Sequence, residues 1–250
     1  MTGIPEGEQA LLNLLPGKPL RAASVKVSST GLSDGRRLYT LPQSAFAPSA
    51  SATFLKTAEA FLGHQAGALR PWIDICEMVH FGLDPSSGAD RLPVRKVYLE
   101  LVTGTPSDPA LTFIALKAAK GGLHLNRYHT IPLATEADAD RLIASLGLPD
   151  WFKPPALRLS RAIVFGSTDY STLLVTEDGT NRRSLDFNFA DEAASNEALA
   201  AISKLLESLG QTAASIDRLL AAPLCHVALG VSADGAPFVT LYGFPEDDNT

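Results

Sequence analysis

Four short stretches of the chain set a basic or hydrogen-bonding residue two positions ahead of a ring. They are Arg37 and Tyr39 in RLYTLP, Lys96 and Tyr98 in VRKVYLE, Arg127 and His129 in RYHTIP, and Thr240 and Tyr242 in TLYGFP. In three of them a proline follows three residues after the ring. Residues two apart on a strand point the same way, so each stretch presents a polar group beside a ring on one face. Several such pairs gathered inside one enclosure would form a cationic pocket walled by aromatics. Cations of this kind suit a diphosphate, whose oxygens take charge-assisted hydrogen bonds. Ring faces suit the carbocation left when a diphosphate departs, through cation–π attraction. An arrangement that binds the substrate would thereby also stabilise its ionised state. Lys26 and Lys117, each on the first strand of a hairpin, are further candidate cations.

The elements that would position these residues come in pairs. LRAASVKVSS and RRLYTL flank the turn residues Ser33, Asp34 and Gly35, and a longer Pro/Ser/Gly loop separates WIDICEMVHFGL from VRKVYLELV. LTFIALKA and LHLNRYHTI are joined by AKGG, RAIVFGSTDYSTLLVTE and RRSLDFNF by DGTN, and CHVALGVS and PFVTLYGF by ADGA. Glycine supplies the positive φ that tight loops need, so five hairpins are predicted. Between them, ASATFLKTAEAFLG, TEADADRLIASLG, DEAASNEALAAISKLLESLG and TAASIDRLLAA carry apolar residues at helical spacing. Repeated units of helices and strand pairs point to one closed assembly. An α+β fold is therefore expected: a closed antiparallel β-barrel of about ten strands, ringed by helices, as one domain over residues 1–250.

Strands of such a barrel must show two characters. In RRSLDFNF, Leu185, Phe187 and Phe189 share one side, while Arg182, Ser184, Asp186 and Asn188 share the other and must meet water or a ligand. In the last strand Val239 and Leu241 suit a helix-covered face, and Phe238, Thr240 and Tyr242 share the opposite one.

Composition narrows the classes. The chain has 250 residues, 46% of them apolar, enough to bury a real core. Its formal charge of −6 and lack of a Lys/Arg run argue against nucleic acid as a partner. Cys76 and Cys225 form no C-x-x-C pair, no basic-then-apolar leader opens the sequence, and no apolar run is long enough to span a bilayer. A cytoplasmic monomer without membrane attachment is expected. The five histidines are scattered, and the chain contains no P-loop, no dinucleotide-binding glycine motif, no nucleophile elbow and no aspartate-rich D-D-x-x-D motif. No metal site and no cofactor are required by the sequence; magnesium is compatible with it.

With these residues in view, the chain resembles the ABBA-type aromatic prenyltransferases. That family has a ten-stranded antiparallel barrel of repeated α-α-β-β units and binds an allylic diphosphate and an aromatic acceptor in the lumen. RYHTIP resembles the family's K-x-Y-x-x-P strand, VRKVYLE its first basic strand R-x-x-x-E, and RRSLDFNF the R-[ST]-[VL]-N-x-Y-F strand of the bacterial phenol-prenylating branch. The resemblance runs from about Trp72 onward. It departs from the family at Asn188 and His129, where tyrosine is usual, and Thr103 to Ala110 leave too little chain for a helix pair.

The resemblance implies transfer of a dimethylallyl or geranyl group from its diphosphate to an aromatic or other electron-rich acceptor, either a small metabolite or a peptide side chain. It implies diphosphate contacts from Lys96, Arg127, Arg37, Lys117 and Arg182. The substrate-lining set is Tyr39, Tyr98, His129, Asp186, Asn188 and Tyr242. Glu77, in DICEMVHF, resembles the glutamate that accepts the acceptor's proton in fungal indole-prenylating members, with Asp74, Glu100 and Asp186 as rivals. The alternative from another class is a non-catalytic α+β protein that encloses a small molecule.

Overall fold

The computed structural model describes residues 6–47, 50–84, 93–102, 105, 107–166, 170–189 and 195–243. The Pro/Ser/Gly loop after Asp84 and the proline of TLYGFP lie outside these residues. Ten described strands pair in the order β1-β10-β9-β8-β7-β6-β5-β4-β3-β2 and close into an antiparallel barrel. They are β1 (Leu20–Ser28), β2 (Gly31–Pro42), β3 (Cys76–Asp84), β4 (Val94–Leu101), β5 (Leu111–Ala119), β6 (Gly122–Thr130), β7 (Ser171–Glu177), β8 (Arg183–Asn188), β9 (Leu224–Val231) and β10 (Pro237–Gly243). The helices are α1 (Glu6–Leu14), α2 (Ala50–Leu62), α3 (Glu136–Ser145), α4 (Lys153–Gly166), α5 (Asn196–Ser208) and α6 (Ala213–Leu219), with 3-10 turns at Gln43–Phe46 and Gly67–Ile75. The chain divides into two compact units. The first comprises Met1–Ala22, Gly35–Arg127 and Pro245–Thr250, and the second Ala23–Asp34 and Tyr128–Phe244.

In the first unit, α1, α2 and the 3-10 turns cover one face of β2 to β5. Leu11, Phe46, Phe54, Phe61 and Leu62 pack there with Leu41, Val79, Phe81, Val97, Leu99 and Ile114. Phe81 takes the edge of Phe61 at 5.5 Å between centroids, and Phe46 takes that of Phe54 at 5.4 Å. Tyr39 belongs to this layer: its hydroxyl donates to the buried Glu8 of α1, which also meets Arg21 at 2.8 Å. Burial first, then the Glu8 hydrogen bond, pushes the Tyr39 phenol above the ordinary tyrosine range.

In the second unit, helices α3 to α6 cover β7 to β10. Phe152, Leu159, Ile163, Ile202 and Leu205 pack with Leu185, Phe187, Val227, Leu229, Val239 and Leu241. The apolar side of α5 follows from Ala198, Ala201, Ile202, Leu205 and Leu206, three and four residues apart. Its start is fixed by Ser195, whose side chain accepts from the Ala198 N–H, and α3 starts on a capping box between Thr135 and Asp138.

Three local expectations need correction. The first hairpin turns at Ser29 and Thr30, where Ser28 bonds to Thr30, and Gly35 instead lies within β2 at φ 72°. RAIVFG is the end of α4 rather than the start of a strand: Phe152, Ala156, Leu159 and Ile163 keep helical spacing, and two prolines occupy the first turn, where their missing N–H is harmless. WIDI is a 3-10 turn, and β3 begins only at Cys76. Between β4 and β5 the described residues include no helix, only an isolated bridge of Thr105 with Asp108.

Candidate functional site

A closed barrel with helices on one face of its strands turns the other face inward. In the first unit the inward residues follow from register. β2 contributes Leu38 and Thr40, opposite Gly82 and His80 of β3. These in turn face Lys96 and Tyr98 of β4, and Met78 faces Glu100. On β5, Lys117 is directly opposite Lys96, and Phe113 opposite Glu100. The two cationic side chains therefore stand in register on adjacent strands, on the same inward face. Gly82 makes room for the aromatic wall: a Cβ there would lie 3.2 Å from Cε2 of Tyr98. The Lys96 ammonium lies 5.9 Å from the Tyr98 ring centroid, within cation–π range.

A hydrogen-bonded chain crosses this face. Thr40 Oγ1 is 2.8 Å from His80 Nδ1, and His80 Nε2 is 3.2 Å from Glu100 Oε2. The His80 ring meets Tyr98 edge-on at 6.4 Å and Phe113 at 6.0 Å. Arg36 and Asp84, also on the inward phase, are ion-paired at 3.0 Å.

The second unit has an inward face of its own. Lys26 of β1 stands opposite Thr240 of β10, with its ammonium 4.3 Å from the Phe238 centroid. The guanidinium of Arg182 lies 5.8 Å from the same ring, and its Nη1 is buried. Farther along, Asn188 and Asp186 of β8 face His226 and Ala228 of β9, and His226 faces Tyr242. Asp186 Oδ1 is 3.7 Å from His226 Nδ1, and the His226 and Tyr242 rings are 5.7 Å apart.

The structure thus brings Lys96, Tyr98 and Lys117 together on one inward face, and places Arg182, Asp186, Asn188 and Tyr242 on that of the second unit. Five expected residues are not among them. Arg37 and Tyr39 share the phase of Leu41, which packs on the helices, so that pair points outward. On β6, Leu125 packs on the helix-side cluster, and alternation carries Arg127 and His129 to the same side. The inward residues of that strand are Asn126 and Tyr128, both buried. Glu77 is exposed and is the extra residue of a bulge between Cys76 and Met78, without a register partner on β4.

Thr40, His80 and His226 also belong to the inward faces, although no motif in the sequence singles them out. Their signal is phase: each stands an odd step from a helix-covered residue of its own strand, Thr40 from Leu41, His80 from Val79 and His226 from Val227. Among the described residues, no three His, Cys, Asp or Glu side chains gather where a metal ion could be held, and no helix is long and apolar enough to cross a membrane.

No protein-family model matches the sequence, and no curated protein matches it. Solved structures do match. AnaPT from Neosartorya fischeri is similar with a TM-score of 0.55 and 12% identity, over 90% of this chain and 78% of that one. NotF prenyltransferase is similar with a TM-score of 0.55 and 9% identity, over 90% of this chain and 80% of that one. The fold of the chain is therefore the PT barrel that these structures share.

Proposed function

We propose that the chain transfers an allylic group from its diphosphate to an aromatic or other electron-rich acceptor, a small metabolite or a peptide side chain. The observation that carries this reading is the directly opposed pair Lys96 and Lys117, inward, with the Tyr98 ring beside it on the same strand. The lysines hold the diphosphate while the bond between the allylic carbon and oxygen breaks and the electron pair leaves on oxygen. The ring face of Tyr98 lies next to the carbon that becomes positive. The acceptor's electrons close on that carbon, and the acceptor then loses a proton to a base. The likeness of the barrel to that of a prenyltransferase supports this reading at the level of fold.

Incubation with dimethylallyl diphosphate and a panel of phenols, indoles and a Tyr/Trp-containing peptide, read by mass spectrometry, tests it. A prenylated product is expected. Tight binding of the donor without turnover of any acceptor would instead mark a non-catalytic binding protein.

A further inference from the structure

We propose that the base which takes the acceptor's proton is Glu100, and that His80, backed by Thr40, is the residue that positions it. The inference rests on the prenyl-transfer reading and deepens it. Glu77 is exposed in the bulge of β3 and has no register partner on β4, whereas Glu100 is in register with Met78 and hydrogen-bonded to His80. Among the described residues, the inward carboxylates on the first unit's strands are Asp84 and Glu100, and Asp84 is engaged by Arg36 at 3.0 Å. Glu100 keeps 37% of its side-chain surface exposed, against 14% for His80, so it is the member of the pair open to a ligand.

The hydrogen bonds suit these roles. A neutral imidazole satisfies both contacts only with its proton on Nε2. Thr40 then donates its hydroxyl to Nδ1 at 2.8 Å, and Nε2–H donates to Glu100 Oε2 at 3.2 Å. The opposite tautomer would set a nitrogen lone pair against the carboxylate. Oε1 of Glu100 is left available to accept a proton, and the carboxyl group's orientation is held from behind by a ring that meets Tyr98 and Phe113.

β4 also spaces the reaction. Lys96, Tyr98 and Glu100 lie on one face at two-residue intervals, and such neighbours stand about 7 Å apart along a strand. The order is cation for the diphosphate, ring for the allylic carbon, carboxylate for the acceptor. In the step itself the new carbon–carbon bond forms at the allylic carbon as its bond to the diphosphate oxygen is lost. The ring carbon of the acceptor then gives up its hydrogen as a proton to Oε1. The C–H electron pair returns to the aromatic system, leaving a neutral Glu100 that releases the proton to solvent.

The test is single turnover with dimethylallyl diphosphate and indole, protiated or ring-deuterated. In Glu100→Gln, product formation should fall by about 100-fold, the usual worth of a positioned base. A primary deuterium isotope effect absent from the wild type should emerge, because proton loss becomes slow. The ratio of released dimethylallyl alcohol to prenylated product should rise. His80→Gln retains an N–H directed at Glu100 and should recover part of the loss seen in His80→Ala. Wild-type rates in Glu100→Gln, or equal and complete loss in both His80 variants, would overturn the assignment and in the second case make the imidazole itself the base. A wild type that yields neither prenylated indole nor alcohol would remove the prenyl-transfer reading and this inference with it.

Discussion

Tyr39 on β2 and Tyr98 on β4 each stand two residues after a cation, on strands separated only by β3, and their surroundings share almost nothing. Tyr39 is 1% exposed beneath α1, its hydroxyl given to a buried carboxylate. Tyr98 lies over Gly82 with Lys96 near its ring and His80 at its edge. One tyrosine closes the layer between strand and helix, while the other walls an inward face that carries two opposed lysines and a hydrogen-bonded carboxylate. A cation-x-tyrosine tripeptide has no fixed meaning on a barrel strand. The phase of the strand relative to its helical cover decides whether the pair serves packing or binding.

Substitutions at the two tyrosines separate these uses. The largest effect is expected for Tyr39→Leu, which leaves a void under α1 and removes a partner of buried Glu8. A loss of about 3 kcal/mol of stability should appear in chemical denaturation, with single-turnover rates near wild type at temperatures where the variant is folded. Tyr98→Leu should leave stability within about 1 kcal/mol and slow the chemical step roughly thirtyfold, the equivalent of one desolvated cation–π contact of about 2 kcal/mol. A stability loss at Tyr98 as large as that at Tyr39 would erase the distinction.

A smaller effect is expected from pH. The folded state holds the Tyr39 phenol protonated above its ordinary range. That contribution is complete below the unfolded tyrosine value of about 10 and is lost as pH rises through the folded value. Denaturation midpoints should therefore decline above about pH 10, and Tyr39→Phe should flatten that decline while losing about 1 kcal/mol at neutral pH. An undiminished alkaline decline in Tyr39→Phe would place its source elsewhere. The smallest effect belongs to Tyr98→Phe, which keeps the ring face. Its single-turnover rate should stay within about twofold of wild type.

The hairpins, the closed barrel and the two-sided character of RRSLDFNF are legible in the sequence because apolar and polar residues there alternate without ambiguity: Leu185, Phe187 and Phe189 pack on the helices as their spacing requires. The face of RLYTLP is not legible, since tyrosine suits either side and its deciding partner, Glu8, comes from a helix 31 residues earlier. LHLNRYHTI offers two phases that both set a polar residue beside a ring, Arg127 with His129 or Asn126 with Tyr128. The sequence carries nothing that chooses between them; the packing of Leu125 does. In DICEMVHF the bulge after Cys76 breaks the alternation at Glu77, and His80 stands on the inward phase beyond it. The links from Thr40 to His80 to Glu100 join three strands, and strand register, which single-sequence alternation does not give, brings them into contact.

The central claim is that inward cations, and not their outward counterparts, bind the diphosphate. Calorimetric titration with dimethylallyl S-thiolodiphosphate, a donor that resists ionisation, tests it on the matched pair Lys96→Ala and Arg37→Ala. The account predicts that Lys96→Ala binds about thirtyfold more weakly than wild type, the loss of roughly 2 kcal/mol for a desolvated charge-assisted contact, and that Arg37→Ala binds as wild type does. Unchanged affinity in a folded Lys96→Ala, or an equal loss in Arg37→Ala, would contradict it.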